Sequence, residues 1–549
     1  MTNKELADLL LPNVTHDVKY YEVMYPKRNL KEGTVVTRYA PSPTGFVHMG
    51  NVYACFVEQR MAKQTDGVFY LRREDTDQKR TVEDGIKRII DDMRNFDISF
   101  DEYPTDDGLE IGNYGSYVQS KRKEIYQTFV KHFIEHDMAY PCFCSEDDLT
   151  AIREKQEQNK ERIGYYGEHA ICRNMTFENI KERVLRGDTY VIRLKSNGNF
   201  NRKVTCHDLV KGHVEMPEND LDIVIMKSDD GLPTYHFAHL VDDYLMDTTH
   251  VIRDLNWLPS VPVHIQLFEM FGIKPPKYAH IAPLMKNDEG SIRKLSKRKD
   301  PEAAVSYYHE KGIPVPAIMI YIATITNSNF EMWFDQNPMA SVNDFKFTFE
   351  KISKSGPLFD IEKIDNISRN YISKLSATEV YDSVLKWALA FDLPFSELLS
   401  KYKDFSTEVF NIERVQKKPR KDFSCWSDIK NQIWYMYDEL FIGSDYEFQT
   451  ISDKNDIKDI VKTYVEEFYD QNDDKETWFN KIKQLSIKLG YAGEVKEFKE
   501  SPDKFKGHVG DVSMVIRVAL TTKAMTPDLY EIARLLGKDR IAKRFEIFY

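Results

Sequence analysis

TVVTRYAPSPTGFVHMGNVYACFVEQRMAKQTDGVFYLRRED, residues 34–75, decides the architecture of this chain. TVVTRYA (34–40) is rich in β-branched residues and reads as a short buried strand. Pro41-Ser42-Pro43-Thr44-Gly45 continues neither as helix nor as inner strand. From about Asn51 to Thr65 apolar residues recur at helical spacing, with Val52, Cys55, Phe56 and Met61 on one side. Asp66-Gly67 stops that helix, and VFYLRRED (68–75) is a second strand. Strand, loop, helix, turn and strand make a βαβ unit, which predicts a parallel sheet. The loop delivers His48, Gly50 and Asn51 to the helix N-terminus, where free N–H groups and the helix dipole favour an anion. His48 and Asn51 add donors suited to a phosphate, and Gly50 leaves room for a flat nucleotide.

The same signals recur further on. DIVIMKS (222–228), closed by Asp229-Asp230-Gly231-Leu232-Pro233, and THVIRD (249–254) read as later strands, with a helix near 259–272. The roughly 100 residues between the two halves read as mostly helical and have the size of an inserted domain. From about 345 onward amphipathic helix dominates, as in KIDNISRNYISKLS (363–376). MTPDLYEIARLLGKDRIAKRFEIF (525–548) predicts an N-cap at Thr526 and a stop at Gly537.

At 549 residues the chain is too long for one core. No apolar run approaches the roughly 20 residues that span a bilayer. The first residues lack the basic start and small-residue cleavage site of a secretory signal, and six irregularly spaced cysteines suit reduced thiols or a metal. A cytoplasmic location is expected. A net charge of −12 opposes long-range attraction to phosphates, so any nucleic acid must be met by local basic patches. One such run is Arg293-Lys294-Leu295-Ser296-Lys297-Arg298-Lys299. Taken alone it is a solvated loop. Beside a phosphate-cradling loop it becomes a clamp whose ammonium groups neutralise a departing pyrophosphate.

The two elements, some 245 residues apart, resemble the paired signature of class I aminoacyl-tRNA synthetases. TRYAPSPTGFVHMGN, FYLRREDTD (69–77), DGLPTYHFAHLVDDYLMDTTHVIR (230–253) and IAPLMKNDEGSIRKLSKRK (281–299) resemble the glutamyl-tRNA synthetases of bacterial type. That resemblance implies a multidomain chain. Residues 1–33 are an extension; 34–118 and 222–275 are the halves of a Rossmann-like α/β catalytic domain; 119–221 is an inserted acceptor-stem-binding domain; 276–345 is a stem-contact region holding the KLSKR loop; and 346–549 is an all-α anticodon-binding region. It implies ATP with Mg2+, L-glutamate and tRNA(Glu) as reactants, leaves tRNA(Gln) open as a second acceptor, and suggests a monomer.

Residue by residue, the resemblance puts His48 and Asn51 on the ATP phosphates, with Lys294 and Lys297 on the leaving pyrophosphate. Gly50, Leu284 and Met285 fall where the nucleotide is held, the last two through their backbone at adenine. Arg38 and Arg253 match positions that bind the carboxylates of glutamate, Glu74 the acid that receives its ammonium, and Ser42 and Tyr235 supporting contacts. The chain departs from the family at His239, where an Asn is usual, which makes protonation a new variable. It departs again at Asp254-Leu255-Asn256, which leaves the contacts of that stretch open.

Cys142-Phe143-Cys144, with Tyr165, Tyr166, His169 and Cys172 downstream, offers thiolate and imidazole ligands to one structural Zn2+. The set expected here is Cys142, Cys144, His169 and Cys172; ordinary thiols are the alternative. Arg414 to Lys421 is a basic stretch followed by Trp426, Trp434 and Tyr435, suited to an RNA backbone and unstacked bases, or to a solvated loop. A glutaminyl-tRNA synthetase would lack Arg253 and carry a β-rich tail. A class I-like nucleotidyltransferase needs neither Arg253 nor the long helical remainder.

Overall fold

The computed structural model describes residues 2–42, 47–77, 85–105 and 107–549. Pro43, Thr44 and Gly45 of the expected phosphate loop lie outside them. The chain divides into two compact units, one of residues 1–307 with 318–361, the other of residues 308–317 with 362–549.

The first unit opens with two helices, α1 (Asn3–Leu10) and α2 (Val18–Met24). The βαβ unit follows as β1 (Val36–Tyr39), α3 (Met49–Lys63) and β2 (Val68–Leu71), with β1 and β2 parallel and Arg38 level with Tyr70. Burial of α3 goes beyond the one-sided face its spacing predicts: Tyr53, Glu58 and Arg60 are buried along with Val52, Cys55 and Phe56. The second half supplies α5 and a parallel pair, defined below. Thr249 N–H donates to Val36 O (3.2 Å) and brings that half against β1.

The intervening segment holds α4 (Lys123–Glu135) and more strand than expected. β3 (Ala139–Cys142), β4 (Val191–Leu194) and β7 (Val224–Met226) form an antiparallel sheet, and β5 (Lys203–Asp208) and β6 (Gly212–Pro217) a hairpin. DIVIMKS therefore does not join the parallel sheet as expected; its strand pairs with β4 inside the insert. Period and composition show that a segment is extended, but not which edge it finds. α1 and α2 pack onto α4, with Leu6, Leu10 and Leu11 in one core with Ile125, Phe129 and Phe133. Arg28 caps the extension with a fork to Glu102, both bonds 2.7 Å.

The parallel pair of the second half is β8 (His250–Asp254) with β9 (Lys277–Ile281), preceded by α5 (Tyr235–Leu245) and bridged by α6 (Val261–Phe271). A hairpin, β10 (Met285–Asp288) and β11 (Ser291–Lys294), carries the basic loop.

The second unit is helical throughout its described core, from Ile372 and Val384 through Ile460 and Ile482 to Phe545. It takes in residues 308–317 and starts again at 362, not at 346. The last long helix, Leu529–Phe545, is capped by Asp528, while Thr526 is hydrogen-bonded to Arg517. Gly537 (φ 74°, ψ 165°) breaks it, in a backbone region that favours glycine. Trp426 and Tyr435 belong to the core, so neither is an open stacking surface. Arg414 spends its guanidinium on the carbonyls of Phe410, Ile372 and Leu375 (2.8–2.9 Å). Among the described residues no helix is long and apolar enough to cross a membrane.

Candidate active site

A cavity of about 1220 Å³ opens where β1, the start of α3, β8 and the basic loop converge. Its wall brings together Arg38, Ser42, His48, Gly50, Asn51, Glu74, Tyr235, Arg253, Leu284, Lys294 and Lys297, drawn from segments more than 250 residues apart in sequence.

The phosphate end is built on the cap of α3. His48 Nδ1 accepts from the Asn51 N–H (3.3 Å), and Asn51 Oδ1 accepts from the His48 N–H (3.1 Å). This reciprocal cap satisfies two helix-end donors. In the neutral ring an accepting Nδ1 leaves the proton on Nε2, which is therefore a donor. Burial, then the charges of Lys297 and Lys294, push His48 down to about 4, so the ring is neutral at pH 7. A Cβ on Gly50 would stand 2.9 Å from the His48 ring, so glycine there lets the imidazole lie across the helix start. Lys294 Nζ is 3.2 Å from Asp254 Oδ2, which gives that departure from the family pattern a partner. Asp300, 1% exposed, ties the loop from below: it takes a fork from Arg293 (2.7 and 2.8 Å) and the Ser296 N–H (2.8 Å). Leu284 is on the wall and its carbonyl accepts from Leu295 N–H (2.9 Å). Met285 does not line the cavity. Its N–H donates to Pro357 O (2.9 Å) and its carbonyl accepts from Phe359 N–H (2.6 Å), so both backbone groups already have partners.

At the other end stands Arg253, 7% exposed on β8. Its nitrogens reach His280 Nε2 (2.9 Å), His264 Nδ1 (3.2 Å), Tyr235 Oη (3.3 Å) and Trp257 O (3.3 Å). Every one of these acceptors is neutral. Among the described residues no carboxylate lies within ion-pair distance of this guanidinium. A buried cation without an anion is costly unless a ligand supplies one. Arg38 has an internal partner, with Nε 3.4 Å from Asp243, and the fully buried Arg72 is paired with Glu74, Asp242 and Asp243. Burial pushes the Glu74 carboxyl up, against the pull of Arg72 and Arg38.

His239 differs from its expected role. It is 1% exposed and does not line the cavity. Its Nδ1 is 2.7 Å from Asp243 Oδ2, its Nε2 is 3.0 Å from Tyr278 Oη, and the ring stacks on Tyr235 with centroids 6.3 Å apart. Burial outweighs the opposing pull of Asp243 and sends His239 to about 4. The sequence reading missed Asp243, the acid on which Arg38, Arg72 and His239 converge, and the histidines around Arg253. The signal was present: a double acid inside the apolar helix AHLVDDYL (238–245) and lone histidines in VPVHIQLF (261–268) and YAHIAP (278–283) sit badly on a solvent face.

A family model described as "tRNA synthetases class I (E and Q), catalytic domain" matches residues 34–366, and one described as "Anticodon binding domain" matches 394–549. A glutamate–tRNA ligase of Clostridium beijerinckii is 47% identical over 551 residues, covering all of both chains. The chain belongs to the glutamate–tRNA ligase family of class I synthetases. A second glutamate–tRNA ligase, of Acetivibrio thermocellus, is 46% identical and again covers both chains fully. The crystal structure of the glutamate–tRNA synthetase of Elizabethkingia anophelis matches at a TM-score of 0.72 and 25% identity, over 94% of this chain and 99% of that one.

In this family member the sulfur atoms of Cys142, Cys144 and Cys172 lie within 4.8 Å of one another, with Cys144 and Cys172 at 3.6 Å. Tetrahedral zinc–thiolate sites have S···S edges of about 3.8 Å, so the three thiols fit a zinc ion. Hydrogen bonding to Cys144 and then Cys172 pulls the Cys142 thiol below its ordinary range. The fourth expected ligand does not converge. His169 Nε2 pairs with Glu161 (2.8 Å) outside the cluster. Tyr165 Oη takes that place, 3.3 Å from Cys144 Sγ and 3.5 Å from Cys142 Sγ.

Proposed function

We propose that the chain activates L-glutamate with ATP and transfers it to the 3′ end of tRNA(Glu), and that Arg253 reads the carboxylate that distinguishes glutamate from glutamine. The observation that carries the pocket is that buried guanidinium, turned to the cavity and held only by neutral acceptors. An anionic side chain completes it, whereas a neutral amide would leave the charge unmet.

In the reaction the α-carboxylate of glutamate attacks the α-phosphorus of ATP, pyrophosphate leaves, and the tRNA hydroxyl opens the acyl-adenylate with release of AMP. Positioning and electrostatic stabilisation suffice, so no protein nucleophile is required. The neutral His48 donates through Nε2 to a phosphate oxygen, while Lys294 and Lys297 approach with charge as pyrophosphate departs. Asn51 holds the His48 backbone, and Mg2+ would neutralise further phosphate charge. Arg38 and Glu74 take the α-carboxylate and α-ammonium, and Ser42 and Tyr235 support them. A zinc ion on Cys142, Cys144, Cys172 and Tyr165 would brace the insert structurally. These reactants are those of a cytoplasmic enzyme.

ATP–pyrophosphate exchange with glutamate and with glutamine, each with and without tRNA(Glu), tests the reading. Exchange that depends on glutamate and tRNA supports it, and equal use of glutamine overturns the pocket. Charging of tRNA(Gln) in the same reaction reads whether a second tRNA is accepted.

A further inference from the structure

We propose that Asp208 and His280 form a positioning dyad for Arg253, through which the hairpin of the inserted domain aims the guanidinium that selects glutamate. This rests on the reading of Arg253 given above.

Arg253 and His280 are register partners on the parallel strands β8 and β9, so their side chains emerge on the same side of the sheet. His280 is fully buried. Its Nδ1 is 2.6 Å from Asp208 Oδ2, and its Nε2 is 2.9 Å from Arg253 Nε. A guanidinium has no lone pair to offer, so His280 Nε2 must accept. Its proton therefore resides on Nδ1 and is given to Asp208. One tautomer satisfies both contacts.

Asp208 is the last residue of β5, is fully buried, and is itself fixed by three backbone donors. Oδ2 also accepts from the His280 N–H (3.0 Å), and Oδ1 from the N–H groups of Val210 (2.9 Å) and Lys211 (2.8 Å). The hairpin root is not a loose attachment. Cys206 packs in one cluster with Val251, Val261 and Tyr278, and Leu209 N–H donates to Tyr278 O (2.9 Å).

The arrangement has a consequence for charge. A carboxylate bonded directly to Arg253 would compete with the substrate's own carboxylate. With an imidazole between them, Asp208 fixes the direction of the guanidinium while Arg253 keeps a neutral neighbour. His280 is thus a spacer as well as a support. Burial lowers its pKa despite the bond to Asp208, which keeps that spacer uncharged. Residues 203–217, placed by the sequence in the tRNA-facing insert, are thereby wired to amino-acid selection by two hydrogen bonds.

The test uses the full chain in tRNA-dependent ATP–pyrophosphate exchange, titrated separately with L-glutamate and ATP. His280→Leu should raise the KM for glutamate about ten- to a hundredfold, while the KM for ATP stays within about twofold. His280→Gln, whose Oε1 can accept at the same place, should recover most of that loss. Thermal melting establishes folding. If His280→Leu does not fold, Asp208→Asn, which keeps the volume and removes the charge, takes its place with the same expected split. A folded variant with the wild-type glutamate KM overturns the dyad, as does a fall in kcat with both KM values unchanged. Wild-type protein without glutamate-dependent exchange overturns the reading of the site instead, and the dyad with it.

Discussion

On the proposed reading Arg253 and Lys297 act on opposite ends of the reaction, and their substitution should separate cleanly. Arg253→Ala removes a cavity-lining guanidinium that meets no carboxylate among the described residues. It should weaken glutamate use by about 3–5 kcal/mol while ATP binding is nearly preserved. Retained preference for glutamate over glutamine in the exchange assay contradicts this. If Lys297 meets the charge that builds on the departing phosphates, as proposed, Lys297→Ala should slow adenylate formation by about 2–4 kcal/mol in single-turnover measurements with tRNA present. His239 belongs to neither class. Held at about 4 and stacked on Tyr235, it is neutral across the working range. The pH profiles of wild type and His239→Asn should therefore superimpose above pH 5.5, and a limb present in only one of them contradicts that.

At the scale of elements, the basic loop and the cysteine cluster are each organised by a residue outside the motif that announces them. Asp300 draws Arg293, Lys286 and the Ser296 N–H to one buried carboxylate, and so sets the course of the loop carrying Lys294 and Lys297. Asp300→Ala should free the loop, lowering kcat about tenfold or more with the glutamate KM nearly unchanged. A glutamate KM that rises in parallel points to wider damage. In the insert, Tyr165 faces the three thiols and His169 turns to Glu161. Metal analysis of purified variants should find zinc retained in His169→Ala and lost in Cys172→Ala. Zinc absent from wild type as well would leave three reduced thiols around a tyrosine.

For the whole molecule, the histidines buried beside cations set an acid limit on stability. His48, His236, His239 and His250 are each pushed to about 4, chiefly by burial, and all belong to the first unit. Unfolded imidazoles titrate near 6.5. Between those values the unfolded chain binds more protons than the folded one, so stability rises with pH through this window and is lost as pH falls from 6.5 toward 4. Calorimetry at pH 7.5, 6 and 5 should show the transition of the first unit moving steadily downward. A transition constant over that range contradicts the prediction.

Local signals were enough for the βαβ unit, the arrival of His48 at a helix start and the helical second unit, because strand, turn and helix preferences are encoded within short windows. The order of motifs carried the family for the same reason. What short windows cannot encode is which surfaces meet. DIVIMKS is legible as a strand, but its partner is chosen by the hydrophobic faces of the insert. His169 stands nearer Cys172 in sequence than Tyr165 does, yet the path of the chain turns Tyr165 to the thiols and His169 to Glu161. His239 lies in a motif of the site, yet the rotation of α5 turns it to Asp243 and away from the cavity. The shell of Arg253 is drawn from residues 4 to 45 positions away, and only packing brings His264 and His280, with Asp208 behind it, to one guanidinium. Chemistry was written in residue types and spacing. Its direction, which nitrogen accepts and which charge stays unpaired, was decided by tertiary contacts, since a hydrogen bond exists only where two groups are held at contact distance.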